Sequence, residues 1–332
     1  MSAADNIITA CDLSVGYREN GRLYKVAEGI DFSLSPGRLT TLMGSNGAGK
    51  STLIKTICGV LKPISGEIFI GGRPIGSYKK PELSSLMSVV LTERTPDGGL
   101  TVYEMVSMGR YPYTGFFGTL TQEDRKIIEE SMEVAGISGM SSKKIAFLSD
   151  GERQKVMIAK SLAQQTPVII LDEPTAFLDV RSKIETVMTL RLLAKEKGKA
   201  VLMSSHDIEL ALRYSDDIWV MSDHGLSSGT TEEVISSRGI DPVIGNSERF
   251  RFDYDSGVFR TTNAGPSVSV SGDGNIYWVR NALERNGYVV NGSGSAAEVN
   301  VSADGNIYFK SGNNVQSFGS VDGLIRYLDG LK

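Results

Sequence analysis

Residues 44–52 read Gly44, Ser45, Asn46, Gly47, Ala48, Gly49, Lys50, Ser51, Thr52, which fits the pattern G-x-x-x-x-G-K-[ST]. The glycines let the backbone turn with its N–H groups inward, forming a nest for the oxygens of a phosphate chain. Lys50 reaches the β- and γ-phosphates, and the Ser51 hydroxyl is a ligand for Mg²⁺. A second cluster ends the apolar run Val168-Ile169-Ile170-Leu171 with two carboxylates, Asp172 and Glu173. The first suits Mg²⁺, through water; the second suits polarising the water that attacks a γ-phosphate. Together the clusters predict a chain that binds a nucleoside triphosphate.

Several elements must position these groups. The apolar run Leu39 to Met43 predicts a strand into the loop, and Lys50 opens a helix carrying Leu53, Ile54, Ile57 and Cys58. Such a helix start adds positive potential where a triphosphate sits. Val168 to Leu171 and Ala200 to Met203 are continuous apolar strands of the kind buried on both faces, with a helix from about Arg181 to Lys195 between them. Residues 100 to 165 are mainly helical, with a capping box at Thr121 and Asp124 and a stop at Gly136. The fold class expected is α/β: a mostly parallel sheet with an N-terminal antiparallel β part and a helical subdomain at about 94–165.

Composition shifts near residue 263, after a hairpin expected at Phe250 to Arg260. Beyond it the chain is rich in Ser, Gly, Asn and Val, and the run Asp273-Gly274-Asn275-Ile276-Tyr277 returns as Asp304-Gly305-Asn306-Ile307-Tyr308. Each Asp-Gly follows alternating valines, a hairpin signal, and helices are expected near Val279–Leu283 and Leu324–Leu328. The division expected is thus 1–262 and 263–332, the second part a small α+β domain of unassigned role. Its Asp-Gly-Asn runs lack the spaced acids and terminal Glu of a calcium loop, which argues against metal binding there.

With 332 residues there is room for about two domains. A net charge of −4 gives no polybasic footprint, so nucleic acid is not an expected partner. Cys11 and Cys58 make no disulfide framework, which suits a reducing compartment. No run approaches the ~20 apolar residues of a membrane span, and the polar start Met1 to Asn6 lacks a signal core.

Between the two clusters lies Leu148-Ser149-Asp150-Gly151-Glu152-Arg153-Gln154. With it the order becomes phosphate loop, helical subdomain, Leu-Ser-x-Gly-x signature, Walker B strand with Glu173, Leu178-Asp179, and Ser205-His206-Asp207. In that order, residues 6 to about 262 resemble the nucleotide-binding subunit of an ATP-binding cassette (ABC) transporter. Gly109-Arg110-Tyr111-Pro112-Tyr113 looks like importers of iron–siderophore, haem or cobalamin. The resemblance implies an ATP hydrolase using ATP and Mg²⁺, in which two copies sandwich two ATP molecules head to tail. Lys50, Glu173 and His206 would then be catalytic. Tyr17 would stack on adenine, Ser149 and Gly151 would meet ATP held by the opposite copy, and Asp179 would organise the dimer seam while also suiting a helix cap. The implied partners are a second copy, a polytopic membrane permease and, indirectly, an extracytoplasmic solute-binding protein. The implied location is peripheral, on the cytoplasmic face of the inner (plasma) membrane.

Two positions depart from the family pattern. Glu93 stands where a Gln usually touches Mg²⁺, and its carboxylate is expected still to ligate the ion while adding negative charge beside the phosphates; Asp150 stands where a first glycine is common. A carboxylate facing a γ-phosphate is repelled, so Asp150 is expected to turn away and cap the signature helix. Other readings are another ABC transporter, such as an exporter, or a soluble ABC ATPase acting on ribosomes or nucleic acid. The single cassette and absence of a heptad run disfavour the last.

Overall fold

The computed structural model describes residues 6–19, 21–91, 99–115, 118–223, 225–245, 247–291, 295 and 297–330. Two long antiparallel strands, β1 (Ile8–Glu19) and β2 (Arg22–Leu34), precede β3 (Leu39–Gly44), which delivers the phosphate loop to α1 (Lys50–Ile57). β4 (Ser65–Ile70) and β5 (Arg73–Pro74) return beside β1, giving an antiparallel sheet of order β2-β1-β4-β5. Helix α2 (Lys80–Leu86) leads into β6 (Met87–Val90), and α3 (Val102–Ser107), α4 (Gln122–Val134) and α5 (Asp150–Ala163) make the helical part. Then come β7 (Val168–Leu171), α6 (Val180–Lys197), β8 (Ala200–Ser204), α7 (Ile208–Tyr214), β9 (Asp217–Ser222) and β10 (Gly225–Thr230), before α8 (Thr231–Ser236) and α9 (Asp241–Ile244). The main sheet has the order β10-β9-β3-β8-β7-β6 and is parallel except for β10.

This is the α/β architecture expected, and the burial pattern explains it. Every residue of β3, β7 and β8 is buried, because a parallel sheet is covered on both faces. One core joins Leu53, Ile54 and Ile57 of α1 to Leu13, Ile30, Leu42 and Trp219. On the other side, Leu190 and Leu193 of α6 pack with Ile169 and Val201. A third cluster, with Met105, Ile128, Met132, Val156 and Ala159, holds the helical part together. The box at Thr121 and Asp124 caps α4 as expected.

The chain divides between Ile244 and Gly245, ahead of the 262/263 boundary expected. The hairpin of β11 (Phe250–Asp253) and β12 (Val258–Thr261) falls in the second unit for a physical reason. Arg260 pairs with Asp253 within the hairpin at 2.5 Å and with Glu284 at 3.5 Å, and the Asn263 amide donates to the Glu284 and Tyr288 carbonyls. The rest of that unit is β13 (Ser267–Gly272), α10 (Ile276–Arg285), β14 (Val289–Asn291), β15 (Ala297–Val301), β16 (Ile307–Ser311), β17 (Asn314–Phe318) and α11 (Val321–Asp329). Its sheet has the order β14-β13-β15-β16-β17. Val279 and Leu283 of α10 and Leu324 and Leu328 of α11 cover Val268, Val299, Val301 and Phe309, the α+β form expected.

One expectation fails here. Only the second Asp-Gly turn makes a hairpin, joining β15 and β16 antiparallel. The first leads out of β13 into α10 instead. Gly272 (φ 126°) and Gly274 lie so close to β15 that an added Cβ would stand 2.1 Å from the Val301 carbonyl oxygen and 2.3 Å from that of Ser302. Glycine permits that approach, and because β13 pairs parallel with both β14 and β15 no hairpin partner can follow it directly.

Candidate functional site

The phosphate loop is shaped by what surrounds it. Gly49 has φ 99°, and a Cβ there would sit 2.1 Å from Val26 Cγ1; a Cβ on Gly44 would sit 2.7 Å from the Met221 carbonyl oxygen. The same Gly49 is the N-cap of α1, provides no side-chain cap, and is followed by no acid in the first turn. The helix start is therefore left positive and unsatisfied, as a phosphate site requires. Ser45, Asn46, Gly47 and Ser51 are exposed, and Ala48, Gly49 and Thr52 are half-buried. Lys50 is only 6% exposed. Its ammonium donates to the carbonyl oxygens of Gly44 at 2.9 Å and Ser45 at 3.2 Å, so it stays over the loop. Burial lowers the Lys50 pKa, and the nearby Glu173 and Asp172 charges oppose that shift.

The carboxylates stand at the tip of β7, next to β8 in register (Leu171 opposite Met203). Ser204, which ends β8 fully buried, links them: its hydroxyl donates to Asp172 Oδ1 at 2.7 Å and accepts the Glu173 N–H at 2.8 Å. Glu173 adopts φ 49°, a left-handed conformation uncommon outside glycine. Its side chain meets His206 Nε2 at 2.8 Å. Thus Lys50, Asp172, Glu173 and His206, separated by as much as 156 positions in sequence (206 − 50), converge on one end of the sheet. Among the described residues no group of three or more His, Cys, Asp or Glu could hold a metal ion. An Mg²⁺ at Ser51 and Asp172 would therefore depend on phosphate oxygens, the usual situation for that ion. The donor set fits it on those terms.

The signature forms a separate cluster. Ser149 is the N-cap of α5 in a capping box with Glu152, and Asp150 is the first helical residue rather than the cap, correcting the expectation for that acid. A serine cap outcompetes it because the Ser149 hydroxyl reaches the Glu152 N–H (3.3 Å) while Asp150 already lies inside the turn. Asp150 stays at a helix start, where negative charge is favoured. A Cβ on Gly151 would come within 2.9 Å of Ser182 Oγ. Ser182 in turn is held by Asp179, which caps α6 by accepting the Ser182 N–H at 3.0 Å and its hydroxyl at 2.7 Å. Among the described residues no hydrogen bond joins Ser149 or Gly151 to loop 44–52 of the same chain.

Tyr17 on β1 is 42% exposed and stacks on Tyr24 of β2, ring centroids 5.5 Å apart at 19°. The register Tyr17 opposite Tyr24 puts both rings on one face of the hairpin. Glu93 lies outside the described residues. Arg110, from the Gly-Arg-Tyr-Pro run, is buried rather than presented to a ligand. Its guanidinium donates to Asp124 Oδ1 (2.8 Å), the Ala163 carbonyl (2.8 Å) and Gln165 Oε1 (3.0 Å), with the Tyr113 ring 4.2 Å away. The run thus ties the start of α4 to the end of α5. Sequence reasoning missed Ser204, Tyr24 and Ser182. The signal for Ser204 was a small polar residue ending an otherwise apolar strand; that for Tyr24 was its place on the facing strand of a hairpin.

A family model described as ABC transporter matches residues 27–176, and one described as iron ABC transporter C-terminal domain matches residues 264–329. The chain is 45% identical, over 69% of its length, to 78% of an uncharacterized ABC transporter ATP-binding protein of Methanocaldococcus jannaschii. It is 36% identical, over 63% of its length, to 77% of the iron(3+)-hydroxamate import ATP-binding protein FhuC of Bacillus subtilis. To 85% of the ferric enterobactin transport ATP-binding protein FepC of Escherichia coli it is 31% identical, over 70% of its length. Among solved structures, 71% of the chain matches 95% of cbiO1 from Clostridium perfringens, part of an ABC transporter complex, at 30% identity and a TM-score of 0.62. A dimeric bacterial ABC transporter cassette matches 68% of the chain over 98% of its own length, at 26% identity and a TM-score of 0.59.

Proposed function

The chain belongs to the ATP-binding proteins of ABC transporters, and from that premise we propose that it hydrolyses ATP in a two-copy sandwich to drive import of a metal chelate through a membrane permease. The observation that carries the reading is the Glu173–His206 contact at 2.8 Å, at the end of the strand beside the phosphate loop.

The nest at 44–52 takes the triphosphate, with Lys50 released from its carbonyls to the β- and γ-oxygens, and Tyr17 backed by Tyr24 offers a stacking face for adenine. Ser51 and Asp172 would hold Mg²⁺, which would supply charge neutralisation at the phosphates. Glu173 accepts the proton of a water as its oxygen bonds the γ-phosphorus and the bond to the β-phosphate oxygen breaks. His206 orients that carboxylate, and Ser204 keeps both acids in place. Among the described residues Ser149 and Gly151 make no hydrogen bond to their own loop, in keeping with their use by the opposite copy's γ-phosphate, with Asp179 at the seam. ATP then favours the closed pair and its loss releases it, moving a permease fed by an extracytoplasmic solute-binding protein. On this reading the chain works at the cytoplasmic face of the inner membrane. The substrate class is an iron–siderophore, haem or cobalamin; its siderophore and cobalamin members are supported by the iron(3+)-hydroxamate, ferric enterobactin and cobalamin import relatives, and iron by the second family match at 264–329.

Sedimentation of Glu173→Gln with ATP and Mg²⁺ tests the sandwich. The variant is expected to accumulate as a dimer with turnover lowered about 10²–10⁴-fold, and Lys50→Ala added to it to abolish the dimer. A Glu173→Gln chain that stays monomeric in saturating ATP overturns the reading.

A further inference from the structure

Glu152 monopolises the donors of the signature serine. The Ser149 N–H donates to Glu152 Oε2 at 2.9 Å, and the Ser149 hydroxyl donates to the same oxygen at 3.1 Å. These are groups that an anion arriving at this helix start would take. A carboxylate oxygen of the chain itself thus stands in for an oxygen of the incoming phosphate. Those bonds, the Ser149 N–H first among them, hold the Glu152 carboxyl below its usual range, so it is ionised at neutral pH. Asp150 adds a second acid to the same turn.

The other oxygen of Glu152 has a partner too. Lys143 Nζ lies 3.6 Å from Glu152 Oε1, and both side chains are partly open to solvent. Lys143 is carried by the loop ahead of α5. Its backbone is pinned there, its N–H donating to the Met140 carbonyl and its carbonyl accepting the Val102 N–H at the start of α3, each at 2.9 Å. An ammonium on a fixed backbone beside a carboxylate that can rotate gives that carboxylate a second place to go.

We propose that Glu152 competes with the γ-phosphate of the opposite copy's ATP for Ser149, and that Lys143 is a positioning residue that draws Glu152 aside when the phosphate arrives. This rests on the two-copy reading above. In the open state Glu152 caps α5 and occupies Ser149. As the copies close, the phosphate oxygen takes both Ser149 donors, and Glu152 turns to Lys143, which screens its charge from the phosphate. The signature therefore sets how tightly the pair closes, separately from how tightly one copy holds ATP.

The test uses the full chain with Glu173→Gln as parent, and reads the ATP-dependent dimerisation constant by sedimentation at fixed salt. Glu152→Gln keeps the capping geometry, since Gln serves the same box, but removes the charge. It is expected to strengthen closing by up to about fivefold per site, or roughly twenty-five-fold for the two sites of one dimer, the range of a solvent-screened charge pair. Lys143→Ala, at a partly exposed side chain, is expected to weaken closing by a similar factor, and to have no effect once Glu152→Gln is present. Equal dimerisation of parent and Glu152→Gln overturns the proposal, as does a Lys143→Ala effect of the same size in both backgrounds. Should Glu152→Gln fail to fold, Lys143→Ala alone decides: closing that is not weakened overturns it. A parent that does not associate with ATP is a different failure, that of the two-copy reading itself, and this proposal falls with it.

Discussion

Ser204→Ala should damage both stability and turnover, although no part of Ser204 is open to solvent. Its hydroxyl is fully buried between Asp172 Oδ1 at 2.7 Å and the Glu173 N–H at 2.8 Å. The substitution removes a hydrogen bond to a charged acceptor, about 1.5–3 kcal/mol, and orphans a partly buried amide, about 1 kcal/mol or more. The two losses share one hydroxyl, so a net destabilisation of about 3 kcal/mol is expected. Glu173 also sits at φ 49°, a conformation that costs on the order of 1–3 kcal/mol and persists only where its surroundings enforce it. Without Ser204 the peptide relaxes and the carboxylate leaves its station beside His206. A displacement of about 1 Å at a reacting group can cost 10²-fold, so kcat should fall at least about tenfold, while KM changes little because residues 44–52 are untouched. Urea unfolding and steady-state phosphate release measure the two effects. Ser204→Cys, of similar volume but a weaker hydrogen bonder, should fall between. If Ser204→Ala lost less than about 0.5 kcal/mol, the usual range of an inconsequential substitution, and kept its kcat, the hydroxyl would not be what positions the pair.

Two further changes probe the Gly-Arg-Tyr-Pro run. Hydrogen bonds from the Thr121 hydroxyl and N–H, and then from Arg110, hold the Asp124 carboxyl at about 2, below its ordinary 3.8. A depressed carboxylate contributes stability that is complete above about pH 4 and lost as pH falls toward 2, here up to about 2 kcal/mol. Asp124→Asn should remove that segment of the acid-unfolding curve and, by leaving the buried Arg110 charge uncompensated, cost about 3–5 kcal/mol at pH 7; an unchanged acid limb would contradict this. Gly109→Ala would place a Cβ 2.3 Å from the Lys160 carbonyl oxygen, forcing α5 away from the end of α3. A loss of about 1–3 kcal/mol in thermal or urea unfolding is expected, and a neutral effect would show that the two segments can separate freely.

Much of the site is legible in the chain because it is local. The phosphate loop requires Gly at particular backbone angles and a helix to follow, and both requirements are met within residues 44–57. The continuous apolar runs at 168–171 and 200–203 announce buried parallel strands without any knowledge of their neighbours. Arg110 reads differently: its spacing marks a resemblance, while its burial against Asp124 and Gln165 shows a structural tie. The cap of α5 is ambiguous in the sequence because Ser149 and Asp150 are both good capping residues one position apart. Only the backbone geometry chooses, and it leaves Ser149 extended at φ −63°, ψ 162°.

The run Asp-Gly-Asn-Ile-Tyr shows where the sequence stops deciding. The same five residues start α10 at Ile276 and form β16 from Ile307. The residues that follow differ in period: Val279, Ala282 and Leu283 are spaced for one helical face, whereas Phe309 alternates with the Ile307 of the run as in a strand. The exit from the sheet, however, follows from β13 lying parallel to both β14 and β15, pairings with strands that come later in the chain. The same holds for Ser204 and Asp172: their meeting depends on β7 and β8 lying side by side in one register. Short-range chemistry thus specifies the loop, the acids and the helix starts. Strand order and register, which pair residues with no local signal for each other, come only from the packed sheet.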